Sequence, residues 1–435
     1  MVSETVTAAS PAPPAAPPIL RRHVTAAVIG NWLEFYDFTV YAFFALQIGD
    51  AFFPSGSDFA KLMASLITYG VGFVARPIGA VVIGRYADRA GRKPAMLLSF
   101  ALMGLALVCL VCVPPFKTIG VAAPILVVLC RLVQGFALGG EVGPTTAYLV
   151  EAAPPERRGL YGAWQSASQS LASVSGGLVG VVMAYFLSGP QLAEFGWRIA
   201  FAVGALVLPF GFIIRSSLPE TKSHAEPALE VHPEDSGILS HWRIILLGLG
   251  LITGGTISTY VFIFMTTYAQ TTLHMGVKIA FWVTVVNGTA GFTASLAGGA
   301  LSDRFGRRTL LIWPRLAFLL ATLPVFMLVT HNRSASVLLG LMGGLNILAN
   351  LSGVPALVAI TESLRKEIRG VGVATIYAVA VCIFGGTTQP IVAWLGEVTH
   401  NPLAIAYYLM AGTAVALVAS LLMIETVLPR EHRAR

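Results

Sequence analysis

The decapeptide GRYADRAGRK at residues 84–93 returns as GALSDRFGRR at residues 299–308. The chain therefore carries one charged hinge twice, each copy wedged between long apolar segments. A second pair keeps the same order: Glu151 stands seven residues before Arg158-Gly159, and Glu362 stands seven before Arg369-Gly370. Two different motifs recurring in one order imply a duplicated unit, and the apolar flanks make it a membrane unit.

The flanks set the class. The chain is 56% hydrophobic and 11% charged, with a mean hydropathy of +0.76, whereas ordinary soluble domains carry roughly 25% charged residues. Apolar runs of about 20 residues recur along nearly the whole length, as a hydrocarbon core about 30 Å thick requires of a helix. They begin near Val24, Ala60, Pro94, Val121, Leu160 and Gly196, then near Trp242, Ile279, Thr309, Ser336, Val371 and Leu403. This spacing predicts a disordered cytosolic tail over 1–22, an N-terminal six-helix bundle over 23–215, and a Pro- and Glu-rich cytosolic linker over 216–240. A C-terminal six-helix bundle over 241–426 and a cytosolic tail over 427–435 complete it.

Lys and Arg favour the side holding both termini by about four to one, so the positive-inside rule places both ends in the cytosol of a cell inner (plasma) membrane. The net charge of +7 is then topology. No basic and aromatic stripe outside the membrane calls for nucleic acid. The Pro/Ala-rich start lacks the basic region of a secretory leader, so no cleaved signal is expected. Cys109 and Cys112 form a CxxC inside an apolar run without His or acidic neighbours, which reads as packing rather than metal or redox chemistry. No histidine falls deep in a span, which argues against a histidine proton relay.

Charges inside the bilayer cost roughly 2.5–3.5 kcal/mol each near a helix centre, so each needs a reason. Glu34 and Asp37 lie three apart on the first span with Asn31 three before them, one helical face. Two carboxylates so close in a low dielectric repel and lose hydration, the setting a proton-carrying site requires; a structural pair held by neighbouring helices is the plainer alternative. Glu141 joins them as a third coupling candidate. Arg131 shares a face with Gln134 and offers a five-donor fork, either to an acidic substrate or to an ion pair with Glu34 or Asp37. Arg76, before Pro77, and Arg315 are further anion partners, with snorkelling as the alternative for Arg76. Gln165, Gln169, Asn287, Asn346, Asn350 and Gln389 carry amides that must face protein or water, as cavity groups or as helix bridges. Tyr36, Tyr161, Tyr260 and Tyr377 are further cavity candidates, with interfacial or packing roles as the alternative.

The hinges hold Gly84, Asp88, Arg89, Gly91 and Arg92 in one copy and Asp303, Arg304, Gly306 and Arg307 in the other. With Glu151, Arg158, Glu362 and Arg369 they read as a latch made in one conformation only, or as plain positive-inside turns.

The pattern G-x-x-x-D-R-x-G-R-K/R resembles the signature of the major facilitator superfamily, and the resemblance runs from about Val24 to Thr426. GNWLEFYDFTVY (30–41), RPIGA (76–80), RLVQGFALGGEVG (131–143), WQSASQ (164–169) and IFGG (383–386) are similar to its metabolite:proton symporter branch. Members of that branch take up organic acids such as citrate, 2-oxoglutarate and shikimate, or zwitterions such as proline and betaine. The resemblance implies an all-α membrane protein of twelve transmembrane helices in two six-helix bundles related by a pseudo-two-fold axis. It implies no enzyme, but a monomeric proton-coupled importer of an organic acid substrate, citrate or a related tri- or dicarboxylate. An osmolyte or aromatic-acid symporter is the alternative. No cofactor is implied, the drive being a proton gradient with Na⁺ as the rival ion. A drug:proton antiporter would show GP-x-x-GG in the fifth span, and SASQSLASVSGGLVG lacks the Gly-Pro.

Overall fold

The computed structural model describes residues 21–90, 92–139, 149, 153–216, 242–364 and 366–425, and among them it is helical almost throughout, with no strand. The first crossing is α1 (Arg21–Phe43), which breaks at Phe44 and continues as α2 (Ala45–Phe52). Then follow α3 (Asp58–Ala90), α4 (Arg92–Cys112), α5 (Ala122–Gly139), α6 (Arg158–Phe186) and α7 (Trp197–Ser216). The second half has α8 (Trp242–Thr271), α9 (Val277–Phe305), α10 (Arg307–Asn332) and α11 (Ala335–Ser363). Helix α12 (Lys366–Ala380) passes through a π-helical turn (Val381–Gly385) into α13 (Gly386–Thr399), and α14 (Ala404–Leu422) ends the set.

Eleven of these segments are long and apolar enough to cross a bilayer. The twelfth crossing, α1, is less apolar because Asn31, Glu34 and Asp37 sit on it. Its polar residues are buried, so the span survives by facing protein rather than lipid.

The duplication read from the hinges reappears as duplicated packing. Helix α1 packs on α7, α3 on α5, and α4 on both α5 and α7; in the second half α8 packs on α14, α9 on α11, and α10 on both α11 and α14. These pairings recur in the same order in both bundles. Between the bundles α6 lies against α9 in opposite directions, with the Trp164 and Phe292 rings 6.2 Å apart. Across the other side of the interface α3 meets α13, where Gly70 and Gly386 touch backbone to backbone.

The turn from α9 to α10 requires glycine, since Gly306 has φ +92°. A Cβ there would also meet the Glu425 carboxylate. That carboxylate, beyond the end of α14, accepts the backbone N–H groups of Arg307 and Arg308, each at 2.9 Å, and so caps the positive end of α10. Glu425→Ala is expected to lower stability by about 1–2 kcal/mol, the scale of a lost charged cap, read as the thermal midpoint in detergent. An unchanged midpoint would show that water serves those N–H groups equally well.

Candidate functional site

A cavity of 160 Å³ lies between the bundles. From the first bundle α1 contributes Phe35, Phe38 and Thr39, α3 contributes Tyr69, and α6 contributes Ser166, Gln169, Ser170 and Ser173. The four α6 residues follow the i, i+3, i+4, i+7 spacing of one helical stripe, a polar face turned inward on an otherwise apolar span. From the second bundle come Thr256, Ser258 and Tyr260 on α8, Thr284 and Asn287 on α9, Asn346 and Asn350 on α11, and Tyr377 on α12. The amides are partly spent on one another. Asn346 Nδ2 donates to the Asn287 backbone carbonyl at 2.6 Å, Asn350 Nδ2 donates to Asn346 Oδ1 at 2.9 Å, and Ser295 Oγ donates to Asn350 Oδ1 at 3.2 Å. The Asn287 side-chain amide, by contrast, is buried with no hydrogen-bond partner among the described residues.

Two guanidiniums stand behind the aromatic wall. Arg131 Nη1 donates to Gln134 Oε1 at 2.6 Å and lies 3.7 Å from Asp37 Oδ2, with both charged side chains buried. Arg76 is also buried, at 5% exposure, yet none of its three nitrogens has a hydrogen-bond partner among the described residues. Its Cζ lies 4.1 Å from the Phe73 ring centroid and 4.5 Å from that of Phe38. It is within electrostatic reach of the hydroxyls of Tyr69, Tyr260 and Tyr377; the Tyr260 hydroxyl stands beside it without closing a hydrogen bond of ordinary geometry. A guanidinium buried without an acceptor costs several kcal/mol by the usual reckoning, about the scale of one unpaired ion.

Other candidates are placed elsewhere. Asn31 Nδ2 donates to Ser168 Oγ at 2.7 Å, and Gln165 Nε2 donates to Asn31 Oδ1 at 3.0 Å, so this pair bridges α1 to α6 rather than lining the cavity. Tyr36 turns to α7, its hydroxyl donating to the Ala200 carbonyl at 2.9 Å. Arg315 is buried inside the second bundle, donating to the carbonyls of Ala416 and Ser352 and to Ser420 Oγ. It ties α10 to α14 and α11, outside the main cavity. Gln389 is buried and off the cavity wall, and Glu34 is buried one turn before Asp37 on α1. The sequence reading missed Phe38, Tyr69 and Phe73, because an aromatic in an apolar run looks like any lipid-facing residue, whereas Tyr260 and Tyr377 were expected at the cavity and line it. The helical spacing of Ser166, Ser170 and Ser173 with Gln169 was the available signal for the α6 stripe.

The sequence pattern of the Major Facilitator Superfamily matches residues 27–386. The chain belongs to that superfamily. This transporter is 35% identical to a citrate-proton symporter of Salmonella typhi over 91% of its own length and 92% of the relative's, and 33% identical to a citrate-proton symporter of Klebsiella pneumoniae over 90% and 89%. In fold it is similar to the crystal structure of a D-xylose-proton symporter, with a TM-score of 0.75 and 19% identity over 94% of this chain and 98% of the other.

At the hinge end of the transporter the second hinge copy joins the bundles. Asp303 accepts the backbone N–H groups of Gly159 and Leu160 at 2.8 and 2.9 Å, capping α6 from the neighbouring bundle. Arg307, 1% exposed, donates to Asp303 at 2.7 Å and to Glu362 at 3.2 Å, so one guanidinium collects acids from α9 and α11. Arg304 departs from the expected cluster: it is exposed and lies over the Phe305 ring. In the first hinge copy Arg89 is exposed and Gly84 borders open space, while Arg158 is half-buried at the start of α6. Gly91, Glu141 and Glu151 lie outside the described residues, as do the side chains of Asp88, Arg92 and Arg369.

Proposed function

We propose that the protein is a proton-coupled importer of an organic carboxylate, citrate or a related tri- or dicarboxylate, working by alternating access between two six-helix bundles. The observation that carries this reading is Arg76, a buried guanidinium without an acceptor behind the cavity wall. A substrate carboxylate supplies the missing acceptor, bidentate where a neutral ligand offers one weaker bond.

Loading an anion into a buried site is costly unless positive charge accompanies it. Asp37 is the acid set to take that charge as a proton, being buried beside Arg131. Proton and carboxylate then enter together and the interior keeps its balance. In this reading both termini lie in the cytosol, the linker over 216–240 joins the two bundles, and the protein works as a monomer without a cofactor. The hinge cluster of Asp303, Arg307 and Glu362 is the latch that parts as the bundles rock.

The test is uptake of labelled citrate into proteoliposomes with an inward proton gradient. Uptake that follows the gradient, collapses with a protonophore, ignores Na⁺ and is blocked by other carboxylates is the expected result. No citrate uptake, with competition by proline or betaine alone in parallel binding assays, would replace the carboxylate reading with an osmolyte one.

A further inference from the structure

One ring touches both halves of the proposed chemistry. The Phe38 side chain is 1% exposed and lines the cavity. Arg76 Cζ and Arg131 Cζ each lie 4.5 Å from its centroid, so the two guanidinium carbons are at most twice that distance apart. Phe73 meets the ring edge-on and Tyr69 meets it tilted, both with centroids 4.9 Å away. Phe38 is also the next residue after Asp37 on α1, so any shift of that backbone moves the acid and the ring together.

Arg76 itself does not line the cavity, whereas Phe38, Tyr69, Tyr260 and Tyr377 do. A carboxylate in the cavity meets Arg76 only when the ring turns aside or the guanidinium leaves the ring face for the ligand. Either movement changes what Arg131 faces. Among the described residues Arg131 lies 3.7 Å from Asp37, beyond ordinary hydrogen-bond length, and also meets Gln134 and aromatic faces. A guanidinium held so loosely by its carboxylate depends in part on the ring, because attraction to an aromatic face persists where water is absent.

We infer that Phe38 is the positioning residue that couples substrate capture to proton uptake, by serving one ring face environment to Arg76 and Arg131 together. When a substrate carboxylate draws Arg76 from the ring, the ring face is left to Arg131, whose guanidinium settles on it and draws back from Asp37. The proton affinity of Asp37 therefore rises as the cavity is loaded. Asn287, unpartnered on the opposite wall, offers its amide to the far end of the ligand and holds it across the ring. The inference rests on the proposed carboxylate transport.

The test compares Phe38→Leu and Phe38→Tyr with the wild type in proteoliposomes, reading two quantities. One is citrate counterflow, exchange of labelled for unlabelled citrate without a gradient. The other is citrate-evoked proton entry, followed with a trapped pH dye. Leucine keeps bulk and removes the aromatic face, so the expected result is that proton entry per citrate falls at least about tenfold further than counterflow does, the scale of one or two lost cation–π contacts. Phe38→Tyr restores the ring and the coupling. Unchanged proton entry per citrate in Phe38→Leu overturns the inference, as does an equal loss of both quantities in both variants, which is packing alone. Absence of counterflow and proton entry in the wild type overturns the carboxylate reading itself, and that outcome is distinct because it appears before any substitution.

Discussion

Arg76→Gln will lose carboxylate binding and gain stability. The guanidinium makes no hydrogen bond among the described residues, so its removal breaks none. What is lost in the empty protein is its contact with two aromatic faces, roughly 0.5–2 kcal/mol each. What is relieved is the burial of an ion without an acceptor, several kcal/mol by the usual reckoning. The balance favours the glutamine variant, and its thermal midpoint in detergent should equal or exceed that of the wild type. Binding moves the other way. Truncating one side of a buried charge pair costs about 2–5 kcal/mol, or roughly 30- to 5,000-fold in affinity. Citrate affinity measured by calorimetry should fall at least about 30-fold, with Arg76→Lys intermediate because the charge stays and the fork goes. A glutamine variant that binds normally, or one that simply unfolds, removes Arg76 from the site.

Gly135→Val is expected to destroy the fold. A Cβ at Gly135 would run into the Gly72 carbonyl, and one at Gly139 into the Arg76 carbonyl. Both obstacles are backbone and neither can swing away, so α3 and α5 must part along their whole crossing. Overpacking of this kind costs more than about 3 kcal/mol, enough to leave little monodisperse protein on size-exclusion chromatography. Gly84→Ala is the matched control, since a Cβ there meets nothing within 4 Å. It should be neutral or slightly stabilising, as Gly to Ala in a helix usually is, by up to about 1 kcal/mol. Equal yields of the two variants would show that the crossing yields more easily than its geometry implies. The same crossing carries Arg76 on one helix and Arg131 on the other, so these glycines also set where the two charges stand.

The architecture was legible because the bilayer imposes a length. Apolar runs of about 20 residues and a duplicated hinge leave few alternatives to twelve crossings in two similar bundles. The buried charges were legible too, since Asp37, Arg76 and Arg131 stand out in apolar surroundings, and all three are buried. Their partners were not. Nothing in the spacing of Asn31 and Gln165 says that they bond across α1 and α6, or that Arg315 spends its donors on helix carbonyls. Those facts depend on helix rotation, which hydropathy does not encode. Glu425 escaped notice for a different reason: a lone acid at the very end of the last expected span announces no partner, and only the fold brings it to the start of α10.

The π-helical turn at Val381–Gly385 gives its span two reading frames. A widened turn holds one residue more than an α-turn, so counting in steps of 3.6 from Tyr377 assigns the wrong face to everything beyond Gly385. In the frame that the turn creates, Gly385 receives the edge of Phe73 and Gly386 meets Gly70. Deleting one residue from the turn would leave the span long enough and apolar enough to cross. It would also swing Gly386 and every later side chain about 100° around the axis, putting bulk where two backbones now touch.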